Sequence, residues 1–240
     1  MSIIDATNLD HKTINQKIRE AEYDCEIVGC LGQRFIAAGA SQKRIVIKGI
    51  PGNALGAYLN GAYIETLGNA QDATGDTMND GTIVTRGDIG DATGYAMRGG
   101  RIFVQGNAGY RAGVHMKAYK DKKPLIVVGG RAGAFLGEYQ AGGAIVVLGL
   151  NADAKKIVGN FPCAGMHGGK LFLRTDGRGL RFPSQVSARS LNDEDRVELV
   201  GYIDEYCRFF NANLDDIWNA PFIVVTPNVS NPYRRMYAPN

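Results

Sequence analysis

The sequence predicts an all-β chain: a single-stranded parallel β-helix of about seven coils of 19 residues, capped by an N-terminal and a C-terminal helix. Three observations predict it. A six-residue strand pattern recurs along the chain, glycines sit at fixed offsets from each copy, and no helix-period segment separates the copies.

The copies read RIVIKG (44–49), YIETLG (63–68), TIVTRG (82–87), RIFVQG (101–106), LIVVGG (125–130) and AIVVLG (144–149). A seventh, KLFLRT (170–175), follows a longer gap and ends in Thr175. The closing glycines, Gly49, Gly68, Gly87, Gly106, Gly130 and Gly149, lie 19, 19, 19, 24 and 19 residues apart. The second position is Ile45, Ile64, Ile83, Ile102, Ile126, Ile145 and Leu171. The fourth is Ile47, Thr66, Thr85, Val104, Val128, Val147 and Leu173. Side chains alternate along a strand, so both positions share one face. The fifth position mixes Lys48, Leu67, Arg86, Gln105, Gly129, Leu148 and Arg174, which reads as a half-buried strand.

Glycine supplies 32 of 240 residues, about twice its ordinary share of roughly 7%. Counted from each closing glycine, Gly56, Gly75, Gly94, Gly113 and Gly137 all stand at +7. Gly52, Gly90, Gly109 and Gly133 stand at +3, with Gln71 in the second copy. A chain that turns several times per repeat needs positive φ or close backbone approach at its corners, and glycine supplies both. One such coil cannot bury its apolar face alone, so the coils stack. An antiparallel sandwich would show varied turns rather than one repeated frame. The 24-residue spacing is an insertion, expected to protrude as a loop at 117–124.

The flanks divide the chain into a helical cap (1–24), the β-helix (25–182) and a C-terminal helix with an extended tail (183–240). Ile14, Ile18 and Ala21 fall at helical spacing within 10–23, and residues 24–40 read as an irregular first coil. Asn192 is the expected N-cap of a helix whose first turn carries Asp193, Glu194 and Asp195. Val197, Val200, Ile203, Cys207 and Phe210 are its expected apolar stripe, and residues 220–240 read as extended tail. The flanking helices are expected to cap the open ends of the stack.

A net charge of +3 argues against nucleic acid as the main partner, and the basic run 117–123 reads as a solvated loop. No long apolar span or basic leader is visible, so a cytoplasmic, non-membrane protein is expected. Four cysteines, Cys25, Cys30, Cys163 and Cys207, are too few for a disulfide framework and suit a reducing compartment. The glycine frame is G-x-x-G-x-x-x-G followed by a strand, so neither a dinucleotide loop nor a phosphate loop is present. Cys25 with Cys30, and Cys163 with His167, are the metal-like pairs, and each lacks a second pair. His11 and His115 are isolated. The segment 159–169 puts Cys163, Met166 and His167 on a glycine-rich loop, the one stretch singled out as a site, with a simple coil bulge as the alternative. Asp72, Asp88 and Asp91 do not recur as the stacked acidic row that a polysaccharide-cleaving β-helix would need. The residue reading therefore assigns no catalytic, cofactor or metal residue. It leaves open a subunit of an enzyme and a homo-oligomeric structural protein.

The stretch from IVIKG (45–49) to TRGD (85–88), with RGGRIFVQGNAGYRAG (98–113) and GQRFIAAG (32–39), resembles the GXGXG-motif domain at the C-terminal end of the glutamate synthase large subunit. The resemblance covers roughly residues 25–175. It implies a right-handed parallel β-helix without catalytic residues of its own, packed between a glutamine amidotransferase and a synthase carrying FMN and an iron–sulfur cluster. Neither of those domains is in this sequence. The resemblance thus implies a free-standing version, with amidotransferase and flavin subunits as partner chains of a glutamate-forming oxidoreductase. The β-helix subunit of formylmethanofuran dehydrogenase and the small subunit of N-methylglutamate synthase-type enzymes share the architecture and are the alternatives.

Overall fold

The computed structural model describes residues 1–151 and 156–228. Its centre is one 11-stranded sheet whose first nine strands are parallel and follow one another in sequence order. These are β1 (Ser2–Asp5), β2 (Cys25–Leu31), β3 (Arg44–Ile50), β4 (Asn60–Thr66), β5 (Asp80–Thr85), β6 (Arg101–Val104), β7 (Leu125–Val128), β8 (Ala141–Val147) and β9 (Gly168–Leu173). The register is that of the sequence frame. Ile45 pairs with Ile64, then Ile83, Ile102, Ile126, Ile145 and Leu171 in turn. Strands β2 to β9 follow one another without intervening helices and form a β-solenoid, the architecture the period predicts; a helix separates β1 from β2.

The second- and fourth-position side chains all point inward and are fully buried. A further inward column follows from the coil-to-coil bonds: Leu59, Met78, Met97, Met116, Gln140 and Met166. Gln140 is its one polar member. Its amide donates to the carbonyls of Gly142 and Gly143, while Oε1 has no partner among the described residues. The first coil is regular rather than irregular. Strand β2 pairs with β3 with a single bulge between Val28 and Cys30, and its corner at Phe35–Gly39 has the backbone pattern of the others. Strand β1, inside the segment read as helical cap, adds one more parallel strand below it.

Helix α1 (His11–Glu20) closes the lower end, where Ile14 and Ile18 enter the core. Its Asn15 side chain donates to the Phe35 carbonyl at 2.7 Å and accepts from the Ala37 N–H at 2.8 Å. Helix α2 (Asp193–Phe210) is capped by Asn192, but it does not close an end. It lies along the outer face of the sheet, where Leu199, Ile203 and Tyr206 cover the third-position residues Val84, Phe103, Val127, Val146 and Phe172. The fifth position predicts a mixed, half-exposed face there, but the third position makes it a second core. The helix stripe is corrected with it. Val197 is 77% exposed, and the covered side runs through Asp195, Leu199, Ile203 and Tyr206.

The C-terminal segment is more than a tail. After α3 (Leu214–Trp218), strand β11 (Ile223–Pro227) pairs antiparallel with β9, and β10 (Val186–Ser190) pairs antiparallel with β11. The upper edge of the sheet is therefore covered by reversed strands. Residues 229–240, which include the NPYRRMY stretch, lie outside the described residues. The insertion at 117–124 forms a tight turn with Tyr119 and Lys122 paired. It is fastened to the stack by Lys122, whose Nζ lies 2.7 Å from Asp80 Oδ2. No described helix is long and apolar enough to cross a membrane.

The packing at the corners is testable by substitution. Gly94 has φ of 68°, and an added Cβ would stand 2.6 Å from Ile126 Cδ1. Gly68 has no positive φ, and its nearest such contact is 3.7 Å away. Denaturant unfolding should show Gly94→Ala losing about 2–4 kcal/mol from strain and overpacking. Gly68→Ala should stay within about 1 kcal/mol, and equal losses would refute the assignment of corners.

A second test concerns Asp195, which is buried and meets Lys170 Nζ at 2.8 Å, the Arg189 guanidinium and the Asn192 N–H. Burial raises its pKa, but hydrogen bonds from Arg189 and Lys170 outweigh this and hold it below the ordinary 3.8. A lowered folded pKa stabilises above the unfolded value and stops doing so as pH falls through the folded one. Asp195→Asn should therefore cost about 1–3 kcal/mol at pH 7. The gap to the unsubstituted chain should close in the acid range below 3.8. A gap that persists unchanged there would assign the effect to packing.

Candidate functional site: the corner column

Each coil turns through a five-residue corner with positive φ at alternate residues. In successive coils the triplets are Phe35–Ala37–Gly39, Ala54–Gly56–Tyr58, Ala73–Gly75–Thr77, Ala92–Gly94–Ala96, Arg111–Gly113–His115, Phe135–Gly137–Tyr139 and Phe161–Cys163–Gly165. The middle member faces inward. At Gly56, Gly75, Gly94 and Gly113 a Cβ would press within 3 Å of an interior isoleucine. The outer two members point away from the core, exposed at Tyr58, Arg111, His115, Tyr139 and Phe161 though buried at Ala54, and there non-glycine residues accept the left-handed conformation at about 1–3 kcal/mol each.

The closing glycines obey a different constraint. Gly68, Gly87, Gly106 and Gly130 have ordinary φ. Asn69, Asp88 and Asn107 fold their side chains up under the coil above, so a Cβ at Gly87, Gly106 or Gly130 would stand 2.2–2.4 Å from a side-chain oxygen. Each of those oxygens accepts a backbone N–H: Asn69 from Asp88, Asp88 from Asn107, and Asn107 from Arg131. Asp72 and Asp91 do the same at the +4 position, accepting from Asp91 N–H and Tyr110 N–H. Gly49 and Gly149 have φ of 153° and 61°. The carboxylates at Asp72, Asp88 and Asp91 are therefore engaged as coil-to-coil acceptors rather than aligned as a hydrolytic pair.

The loop 159–169 is a regular corner rather than a bulge. Cys163 (φ 61°) occupies the inward position that glycine holds below it. No further coil supplies an isoleucine above it, so its side chain fits. Burial pushes its thiol up to about 12, which keeps it protonated and poorly nucleophilic. His167 Nδ1 lies 3.1 Å from the Gly165 carbonyl at the corner's end. Cys163 thus belongs to the core and His167 to the turn. Cys25 and Cys30 are also buried, and burial raises Cys30 to about 11. Among the described residues no group of three or more His, Cys, Asp or Glu is placed to hold a metal ion.

What does gather on the surface is aromatic. In the upper coils Tyr110, Phe135 and Phe161 form a ladder with ring centroids 5.2 Å apart at each step. Tyr95, His115 and Tyr139 form a second, with His115 stacked on Tyr139 at 5.1 Å and 7°. Arg111 lies over Tyr110 and Phe135 and pairs with Glu138 at 2.7 Å. The sequence frame shows the corner rows as glycine rows. It misses their aromatic outer members, although Phe35, Arg111, Phe135 and Phe161 share one offset from the inward residue.

Comparison with known proteins agrees with this geometry. The chain is 41% identical over 252 aligned positions to the uncharacterized protein MJ1350 of Methanocaldococcus jannaschii, covering 99% of this chain and 97% of that one. Its fold is similar to a chain in the crystal structure of the formyltransferase/hydrolase complex FhcABCD from Methylorubrum extorquens in complex with methylofuran. That match has a TM-score of 0.65 at 21% identity and covers 92% of this chain and 89% of that one. The GXGXG motif family model matches residues 6–223. With its glycine frame repeated coil after coil across that whole range, the chain belongs to the GXGXG motif family.

Proposed function

We propose that this chain is a non-catalytic β-helix subunit of a split, glutamine-dependent glutamate synthase. It holds a glutamine amidotransferase subunit and an FMN- and iron–sulfur-containing synthase subunit in register, so that ammonia passes between them without escaping. One observation carries the reading: the family frame fills residues 6–223, and the groups inside it that could do chemistry are engaged in structure. The carboxylates of Asp72, Asp88 and Asp91 hold backbone amides, and the Cys163 thiol is buried and protonated. A stack with one rigid register suits a spacer, because its corner rows present straight lines of side chains at fixed spacing. The flavin and the cluster belong, on this reading, to the partner chains.

A second reading has its own support. The likeness in fold to a chain of a formyltransferase/hydrolase complex favours a β-helix component of a formylmethanofuran dehydrogenase-type assembly.

Isolation from the native source separates them. Recovery with a flavin- and iron–sulfur-containing chain supports the first reading. Recovery with molybdenum or tungsten pterin chains supports the second, and a clean homo-oligomer refutes both. The chain produced alone should be colourless and inactive as a glutaminase; a flavin spectrum would overturn the assignment of flavin to a partner.

A further inference from the structure

Three columns of backbone N–H groups point upward along the corners, each donating to the coil above. The first runs from Ala70 to the Asp88 carbonyl, Ile89 to Asn107, Ala108 to Arg131 and Ala132 to Ile157. The second runs from Ala54 to Asp72, Ala73 to Asp91, Ala92 to Tyr110, Arg111 to Ala134 and Phe135 to Asn160. The third runs from Tyr58 to Asp76, Thr77 to Tyr95, Ala96 to Val114, His115 to Glu138 and Tyr139 to Ala164. In the last coil the columns arrive at Val158, Phe161 and Gly165, and these three amides have no acceptor among the described residues.

Other terminations of the stack are finished by the chain itself, although β1 remains the outermost strand at the bottom of the sheet. At the bottom corner, Asn15 of α1 satisfies the Ala37 N–H and the Phe35 carbonyl. At the top of the sheet, β11 pairs with β9. A row of amides with no acceptor among the described residues is a template for another extended chain.

We propose that the upper end of the corner column docks an extended, acidic segment of a partner polypeptide, which lies along Val158–Gly165 as one more corner coil. Its carbonyls accept from the Val158, Phe161 and Gly165 amides. Its carboxylates meet Arg131, Lys156 and Arg181. Lys156 and Arg181 line a cleft of 480 Å³ with Val158 and Phe161, and Lys156 lines a neighbouring cleft of 650 Å³ with Arg131. Among the described residues no carboxylate lines either cleft, and none of the three cations forms an ion pair. Phe161 is 64% exposed at a φ of 56°, a costly way to display a ring unless something covers it. Charge also selects the occupant. The chain's own residues 229–240 carry Arg234 and Arg235 and no acid, so they suit this basic rim poorly.

The proposal rests on reading the chain as a subunit, and its test is separable from that reading. The probe is a fluorescein-labelled peptide of repeated Glu-Val, titrated against the full chain by fluorescence anisotropy. Amide hydrogen exchange is read in parallel. The expected result is saturable, salt-sensitive binding that slows exchange at Val158, Phe161 and Gly165. Arg131→Glu with Arg181→Glu should weaken it roughly tenfold or more, while Lys12→Glu on α1 should leave it unchanged. Absent binding, binding indifferent to the reversal, or equal affinity for a Lys-Val peptide overturns the proposal. So does protection in the free chain that vanishes when 229–240 are deleted, which makes the tail the occupant. Protection that grows with protein concentration makes it a second copy and equally overturns it. If a native partner co-purifies while these amides exchange as in the free chain, the docking site falls and the subunit reading stands.

Discussion

The structure depends on one close approach: the inward corner residue of each coil against the interior isoleucine column. At Gly113 a Cβ would come within 2.4 Å of Ile145 Cδ1, and at Gly75 within 2.5 Å of Ile102 Cδ1. Filling the solenoid with isoleucine requires that nothing project inward at the corner. The left-handed φ at the same residue lets the chain turn there. Both demands fall on one atom, the missing Cβ, which is why the inward position is glycine in five successive coils from Gly56 to Gly137. It departs only at the first and last corners, at Ala37 and Cys163.

This constraint sets the period, and the period makes the fold legible. Nineteen residues return the chain to the same register, so strand, corner and acceptor recur together. The outer core is harder to see because the decisive signal sits at the third strand position. There Val84, Phe103, Val127, Val146 and Phe172 are apolar, while Glu65 one coil below is charged and held by Arg44 and Arg86. The fifth position is mixed because α2 covers only part of that face: Leu148 is buried while Lys48 is exposed. Helix α2 itself offers two plausible stripes, and the one containing Val197 looks better by hydropathy. The winning face is chosen by contacts distant in sequence, such as Arg101 with Glu205 and Lys170 with Asp195 and Glu198. No local pattern announces those.

The candidate site is legible in location but not in character. Corner glycines mark where the surface rows run, yet a residue's place in the glycine frame says nothing about whether its neighbours face solvent. Alternating left-handed residues settle that. They turn alternate corner side chains away from the core, so large residues at the first corners (Phe35, Tyr58) and the upper ones (Arg111, His115, Phe135, Tyr139, Phe161) flank small ones between (Ala73, Thr77, Ala92, Ala96). Cys163 and His167 look like a chemical pair because they are close in sequence. The same alternation sends Cys163 inward and leaves His167 on the turn.

The two ends of the corner column are chemically unequal, and this gives the stack a direction. Below, an asparagine from α1 completes the hydrogen bonds of the first corner, and Ile14 and Ile18 close the core. Above, the sheet edge is covered by β11, but three amides at the corner remain beside cations and an exposed ring. A parallel stack has no inherent reason to stop at any coil, since each coil is a template for the next. It stops where a side chain or a reversed strand replaces the acceptors and donors of the missing coil. Asn15 supplies part of that replacement at the bottom corner and β11 supplies it along the top of the sheet, whereas the Val158, Phe161 and Gly165 amides at the top of the corner have no acceptor among the described residues. The inward position does not itself set the limit, since Ala37 occupies it in a coil that carries others above it. The stack ends where the chain leaves it for β10 and α2 and returns as β11, reversed against β9.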